Sequence, residues 1–264
     1  MKKVDGKVAI VTGGGDGIGR STCELLAKEG AQVVVTDINV ALAKETAKRI
    51  EDNGGMAVAM AHDVANEDDW ESVMAGTLKR FKKLDILVNN AGTASSTECK
   101  DMSFSDWRRV LSVNLDGTFL GVRSAINAML QNNPTTGSII NISSDAADFG
   151  GGSAVSYNAS KGGVRSLSRA CAIECRDKGY QIRVNSIQPG CIDTKLAHLK
   201  NKDGLKQAMV LGEPIDIAKG VLFLASEDSS FVRGIELNIN SGFSASMYNH
   251  QIYAAIDYEI GDSN

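Results

Sequence analysis

Tyr157 and Lys161 stand four residues apart, a spacing that puts both side chains on one helix face, one turn from each other. A phenol beside an ammonium is a proton donor in the making. Its free pKa is about 10, and a nearby cation favours the phenolate and lowers that value. Ser144, thirteen residues upstream, offers a hydroxyl for an oxygen on which charge develops. The pair alone also fits an amphipathic helix with a half-buried tyrosine and a solvated lysine. What separates the two is Ser144 together with a glycine-rich turn at the start of the chain.

That turn is Gly13-Gly14-Gly15-Asp16-Gly17-Ile18-Gly19. It follows the apolar run Lys7 to Thr12, which reads as a buried strand, and precedes a helix from Arg20 to Glu29 stopped by Gly30. Strand, glycine turn and helix form a cradle for a pyrophosphate: the backbone approaches closely at Gly13, Gly17 and Gly19, and free N–H groups around Asp16 and Ile18 face the charge. Because Ile18 replaces a last glycine, the spacing is Thr-Gly-x-x-x-Gly-x-Gly rather than G-x-G-x-x-G. The next strand, Gln32 to Asp37, ends on an acid 20 residues past Gly17, followed by Ile38. A carboxylate there accepts from an adenosine ribose and repels a 2′-phosphate, so NAD rather than NADP is expected. Asp16 adds a second acid, and no arginine or lysine is expected nearby. Asp37 also suits the cap of a helix from Val40 to Glu51, as does Asn39.

The elements that must carry these groups alternate without a break. Further strands are expected at Met56 to Ala61, Leu84 to Val88, Gly137 to Ile142, Gln181 to Ile187 and Ile235 to Ile239. Helices lie between them at Asn66 to Arg80, Phe104 to Leu130 with a break near Val113-Asn114-Leu115, Val155 to Ala172, and 214 to 225. This rhythm predicts an α/β fold, a doubly wound Rossmann-type parallel sheet of seven strands with helices on both faces. One domain spans 1–242, with a substrate-covering excursion at about 193–212, and residues 243–264 form a tail. In such sheets ligands bind beyond the carboxyl ends of the strands. Thr12 to Gly19, Asp37, Asp63-Val64, Asn90-Ala91-Gly92, Ser144 and Pro189-Gly190 all follow strand ends and should converge on one crevice. Asp63 suits either an adenine amino group or a helix cap. Asn114 suits a buried amide satisfying backbone groups at the helix break.

Composition narrows the function. The chain of 264 residues is 43% hydrophobic and 23% charged, an ordinary globular balance. A net charge of -4 gives no global attraction for nucleic acid or an anionic membrane. No run approaches the ~18 apolar residues of a membrane span, and the start lacks a signal-peptide core. Five scattered cysteines make no disulfide framework, so a reduced, cytoplasmic setting is expected. Three histidines and no C-x-x-C pair leave a metal site without support.

The motifs resemble the short-chain dehydrogenases/reductases of the compact, single-domain kind, from Gly6 to about Gly242. They are Thr12-Gly13-x-x-x-Gly17-x-Gly19, Asn89-Asn90-Ala91-Gly92, Ser144, Tyr157-x-x-x-Lys161 and Pro189-Gly190-x-Ile192-x-Thr194. The resemblance implies a catalytic tetrad of Asn114, Ser144, Tyr157 and Lys161, with NAD(H) as hydride carrier. It implies that Asn114 helps hold a water joined to Lys161, that Thr194 holds the nicotinamide carboxamide, and that the assembly is a homotetramer or a dimer. The small residues Ala159, Ser160, Gly162 and Gly163 suit pairing of the Val155 helix with its copy. The segment Cys175 to Ile187 looks like members acting on cyclic alcohols and hydroxysteroids. Asn240-Ser241-Gly242 departs from the family's Asp-Gly-Gly, so Ser241 must take a left-handed angle or the turn must differ. The tail, with Tyr248, Tyr253 and Tyr258, is too apolar for plain disorder and is expected to pack at a subunit contact.

Leu196, Leu199, Leu205 and Met209 after Pro189-Gly190, with Ala146, Ala147 and Phe149, predict an apolar pocket for a secondary alcohol or ketone. A small diol, sugar or hydroxy acid is the alternative substrate. An NAD-binding protein without turnover and a hydrolase with Ser144 as nucleophile are the rival classes. No G-x-S-x-G surrounds Ser144, and no histidine is expected at a strand end of the crevice.

Overall fold

The computed structural model describes residues 2–150, 154–197 and 202–245. The elements run β1 (Val8–Thr12), α1 (Gly17–Lys28), β2 (Gln32–Asp37), α2 (Val40–Asp52), β3 (Met56–Ala61), α3 (Glu67–Phe81), β4 (Ile86–Asn89) and α4 (Phe104–Leu111). There follow a π-helical turn (Ser112–Asp116), α5 (Gly117–Met129), β5 (Thr136–Ile142), α6 (Val155–Asp177), β6 (Gln181–Pro189), α7 (Lys202–Gln207), α8 (Pro214–Ala225) and β7 (Glu236–Ile239). Every strand pair is parallel, in the order β3-β2-β1-β4-β5-β6-β7. The expected seven-stranded, doubly wound sheet is present.

Period-2 alternation sends successive side chains of one strand into two separate cores. Ala9 and Val11 of β1 join Leu26, Ala43, Ile217 and Leu224 beneath α1, α2 and α8. Ile10 joins Trp70, Met129 and Ala172 beneath α3, α5 and α6. Strands buried on both faces read as continuous apolar runs, which is why β1 and β2 carry no polar face.

Helix ends follow the capping chemistry. Asp16, Asn39, Asn66 and Ser103 cap α1, α2, α3 and α4 with side-chain oxygens on backbone N–H groups. The first helix therefore starts inside the glycine turn, three residues ahead of the expected Arg20. The last turns of α6 carry it to Asp177, past the expected Ala172. The break expected near Asn114 is the π-helical turn, a wide loop of backbone of the sort that accumulates at functional sites.

The strand order reverses between β1 and β4, with β2 and β3 on one side and β5 to β7 on the other, which opens a crevice at their carboxyl ends. Beyond β6 the excursion leaves and returns at one point: Ile192 bridges Gly212, and the Asp193 N–H donates to the Gly212 carbonyl at 2.9 Å. Ser241 takes the left-handed angle, φ 54°, and its hydroxyl donates to the Met209 carbonyl at 2.6 Å. That bond ties the departure from Asp-Gly-Gly to the end of the excursion. Of the tail, Phe243 to Ala245 forms a short turn, and Phe243 meets Phe149 edge-on at 5.6 Å. The expected subunit-contact role of the tail, with Tyr248, Tyr253 and Tyr258, lies outside the described residues.

Candidate active site

One cavity of about 800 Å³ runs along the carboxyl ends of the strands, and its lining joins the two halves of the sequence motif. Gly13, Asp16, Gly17, Ile18, Asp37, Ile38, Asp63, Val64, Asn90, Ala91 and Gly92 line it from the β1–β4 side. Ser144, Tyr157, Lys161, Pro189, Gly190, Ile192 and Thr194 line it from the β5–β6 side. Asn114 and Gly19 stand behind these walls.

The proton-handling end is built on β5 and α6. Lys161 is almost fully buried, and its ammonium donates to the Ile142 carbonyl at 2.8 Å. The Ser143 hydroxyl returns a bond to the Lys161 carbonyl at 2.8 Å, so the end of β5 and the first turns of α6 are clamped together. Ser144 accepts from the Ala146 N–H at 3.1 Å and donates to Asp145 Oδ1 at 3.3 Å. Asn114 is fully engaged: its Oδ1 accepts from the Thr93 N–H at 2.8 Å, and its Nδ2 donates to the Thr93 carbonyl and Ser160 Oγ, each at 2.9 Å. Ser160 in turn donates to the Tyr157 carbonyl at 2.7 Å. The π-helical turn thus holds the loop after β4 and the backbone of Tyr157 through one amide. A Cβ at Gly92 would lie 3.4 Å from Asn114 Oδ1 and 3.5 Å from Lys161 Nζ, so the absence of a side chain there keeps the space between them clear.

Electrostatics at this end depart from the expectation of a phenol lowered by its lysine. Burial pushes the Tyr157 phenol up to about 12; the Ser144 hydroxyl pulls it down and Asp145 pushes it further up. Burial also pushes Lys161 down to about 8. The same desolvation that strengthens a charge pair first disfavours both charges, and in the protein alone that effect wins.

The cofactor end rests on backbone geometry. Gly13 and Gly17 have φ of 61° and 50°, angles that a side chain strains. A Cβ at Gly13 would meet Ala91 Cα at 3.0 Å, and one at Gly17 would meet Thr194 at 3.2 Å. At Gly19 a Cβ would come within 2.0 Å of the Gly13 carbonyl oxygen. Gly19 therefore packs the turn closely against the helix, where a side chain has no room. Asp37 accepts from the Gly15 N–H at 3.0 Å and the Asn39 N–H at 2.9 Å, leaving carboxylate lone pairs towards the cavity. Asp63 accepts from the Ala65 N–H at 2.9 Å, and the cap of α3 is Asn66. Asn90 donates to the Thr12 and Gly13 carbonyls, at 2.9 and 3.2 Å, locking the ends of β1 and β4.

Two expectations need correction here. No lysine was expected near Asp16, yet the fold brings Lys195 Nζ to 2.7 Å from Asp16 Oδ2. Burial works to raise the Asp16 carboxyl, but Lys195, the Gly17 N–H and Arg20 hold it below the usual range. No histidine was expected at a strand end, yet His62 directly follows β3 and lines the cavity. Its ring pairs with Thr36 Oγ1 at 3.0 Å and stands edge-on to Trp70 at 4.3 Å, and burial lowers it to about 4. His62 therefore belongs to the β2–β3 end of the crevice and forms no dyad with Ser144. Sequence reasoning also left out Asp145, Arg109 and Cys191, all in the lining. For Asp145 a signal existed: it is the acid directly after Ser144 in a loop of small residues.

The residues fit a nicotinamide dinucleotide. The backbone N–H groups of the glycine turn and the start of α1 supply donors along one wall, and His62 Nε2 is a buried polar atom there with no protein partner. Among the described residues no group of three or more His, Cys, Asp or Glu is placed to hold a metal ion, and no helix is long and apolar enough to cross a membrane.

A fold and site of this kind define a nucleotide-dependent oxidoreductase, and comparison with known proteins agrees. The family model for short chain dehydrogenase matches residues 7–204, and the chain belongs to that family. It is 39% identical over 254 residues to an NADP-dependent (R)-specific alcohol dehydrogenase of Lentilactobacillus kefiri, covering 92% of this chain and 98% of that one. It is 37% identical over 253 residues to a cyclopentanol dehydrogenase of Comamonas testosteroni, covering 93% of this chain and 100% of the relative. Among solved structures, a short-chain type dehydrogenase/reductase from Mycobacterium marinum superposes with a TM-score of 0.85 at 29% identity, covering 92% of this chain and 98% of that one.

Proposed function

We propose that the protein transfers a hydride between NAD(H) and a secondary alcohol or ketone, with a cyclic or hydroxysteroid-like carbon frame. The observation that carries this reading is the meeting of Ser144, Tyr157 and Lys161 on one cavity wall opposite the glycine turn. Val113, Phe149, Val210 and Phe243 supply apolar lining at the substrate end, and the cyclopentanol relative acts on a ring alcohol.

The nicotinamide cofactor, when bound, supplies the hydride chemistry. The protein must orient the carbinol and move one proton. Tyr157 donates its phenolic proton to the developing alkoxide in reduction, and takes the hydroxyl proton in oxidation. Ser144 donates a hydrogen bond to the same oxygen and so stabilises charge as it builds. Lys161 provides donors beside the phenol, and a counter-charge once it is protonated. Asn114 keeps Thr93, Ser160 and the Tyr157 backbone in place. Residues that would hold the cofactor are the Gly13–Gly19 turn, Asp37 and Ile38, Asp63 and Val64, Asn90 to Gly92, and Pro189 to Thr194.

NAD as the preferred cofactor is supported by the Asp37 carboxylate facing the cavity, although the Lentilactobacillus relative is NADP-dependent. A cytoplasmic homotetramer is part of the same proposal, with free cysteines and the small-residue face of α6 in its favour. The test is a panel of secondary alcohols, diols, sugars, hydroxy acids and sterols, followed at NADH absorbance with each cofactor in both directions. Turnover with ring alcohols and NAD is expected; turnover of hydroxy acids alone would overturn the substrate assignment, and none with any substrate would overturn the enzyme.

A further inference from the structure

Asp145 is an acid in the substrate half of the cavity, and nothing in the reaction described above uses it. It begins the short helical turn after Ser144, and its Oδ1 lies 3.3 Å from the Ser144 hydroxyl. Among the described residues no cation pairs with it. Arg165, one α6 cation facing this loop, is held by Asp148 and Glu236 instead. Burial, the largest influence on it, pushes the Asp145 carboxyl up to about 6; Ser144 and the Ala146 N–H pull it down, and Asp148 pushes it up. A half-buried carboxylate in the cavity wall without a counter-ion is a cost to the fold. Such a group is compensated when something in the cavity donates to it.

Geometry limits what that donor is. Ser144 Oγ marks the position of the reacting oxygen, and Asp145 Oδ1 sits one contact away. The two oxygens of a vicinal diol are themselves about a hydrogen-bond length apart. A substrate whose reacting oxygen takes over the Ser144 hydrogen bond frees Asp145 Oδ1, one contact away, to accept from an adjacent hydroxyl. We infer that Asp145 is a specificity-determining residue that accepts a hydrogen bond from a second hydroxyl on the carbon next to the carbinol, so that the preferred substrate is a ring-bearing vicinal diol or its α-hydroxyketone. A hydroxyl is served by the carboxyl in either protonation state, since both forms keep an acceptor oxygen. A carboxylate substituent is disfavoured by like charge, which sets hydroxy acids apart from diols at this site.

This inference rests on the alcohol dehydrogenase reading, and one experiment separates the two. Steady-state kcat/KM is measured for cyclohexanol, 1,2-cyclohexanediol (cis and trans) and 2-aminocyclohexanol with the wild type, Asp145→Ala and Asp145→Asn. The wild type should prefer one diol isomer to cyclohexanol. In Asp145→Ala the diol-to-cyclohexanol ratio should fall at least tenfold, mainly through the KM of the diol. Asp145→Asn, which keeps an acceptor oxygen, should retain the ratio within about threefold. Using a ratio within each variant cancels any general loss from altered folding or from a shifted Tyr157. A ratio unmoved in Asp145→Ala overturns the inference while leaving the dehydrogenase intact. Preference of the wild type for the amino alcohol over both diols overturns it too, by making the site one for an ammonium. No oxidation of any of these alcohols by the wild type with NAD or NADP overturns the reading beneath it.

Discussion

The Lys161 ammonium lies 5.7 Å from the centre of the Tyr157 ring, and its hydrogen bond goes to the Ile142 carbonyl rather than to the phenol. Lysine and tyrosine are neighbours on one helix face, yet the strand end beneath them decides how the lysine is used. With the phenol pushed up to about 12, the protein alone holds Tyr157 protonated across the neutral range.

Tyr157→Phe removes that proton and nothing else of the frame. It should fold normally by circular dichroism, bind NADH as before by fluorescence, and lose at least ~10²-fold in kcat. In the wild type, oxidation needs the phenolate, so its kcat/KM should climb from pH 7 to pH 10, while reduction should be the stronger direction at pH 7. Oxidation fastest in acid would remove Tyr157 from the role of base.

Asp37 faces the cavity at the end of β2, where an adenosine 2′ substituent would approach. The wild type should favour NAD over NADP, and Asp37→Ala should narrow the gap by at least tenfold in kcat/KM. Part of the loss with NAD will come from the Gly15 turn, which the same carboxylate holds. Equal efficiency with the two cofactors in the wild type would count against the assignment.

Gly19→Ala should be far worse than its size suggests. The new methyl would sit 2.0 Å from the Gly13 carbonyl oxygen and 2.6 Å from Asn90 Nδ2, both parts of the locked turn. Overpacking of this kind costs about 1–3 kcal/mol, to be read as a lowered midpoint in urea, with weakened NADH binding beside it. A variant with unchanged midpoint and NADH affinity would show that the turn yields.

Gly162 lies on α6, and a Cβ there would meet nothing within 4 Å of its own subunit. Gly162→Leu should therefore leave the subunit fold intact while lowering the mass in solution by light scattering, if α6 pairs with its copy in the proposed tetramer. An unchanged mass would take this face out of the assembly.

His62 gives a pH signature for stability. Burial lowers its imidazole from 6.5 to about 4, so its neutral form favours the fold. That stabilisation is complete above about pH 6.5 and is lost as pH falls through 6.5 towards 4, on the order of 3 kcal/mol in all. The raised Asp145 carboxyl works in the opposite sense, because proton uptake between its unfolded value near 3.8 and about 6 favours the fold. The unfolding midpoint in urea of His62→Asn, compared with wild type at pH 4.5 and 7.5, isolates the histidine. The wild type should lose more than the variant on acidification; equal losses would refute the linkage.

Much of this site is legible in the chain itself because its signals are short-range. Apolar runs ending in glycine or asparagine mark β1, β4 and the strand ends. The four-residue spacing of Tyr157 and Lys161 sets their common helix face, and Asn39 and Asn66 announce helix starts. Parallel alternation then sends every strand-end motif to one crevice, because right-handed crossovers leave little choice of topology.

Tertiary structure alone decided the rest. The approach of Lys195 to Asp16 depends on where the chain leaves β6, and the lining role of His62 depends on β3 lying at the sheet edge. That Gly19 has no room for a side chain, a Cβ there falling 2.0 Å from the Gly13 carbonyl oxygen, is seen only once the turn is folded. Above all, the directions of the Tyr157, Lys161 and Asp145 shifts follow from burial, a sum over every element packed around them. A one-dimensional spacing records which charges are neighbours; it does not record how much water has been removed from between them.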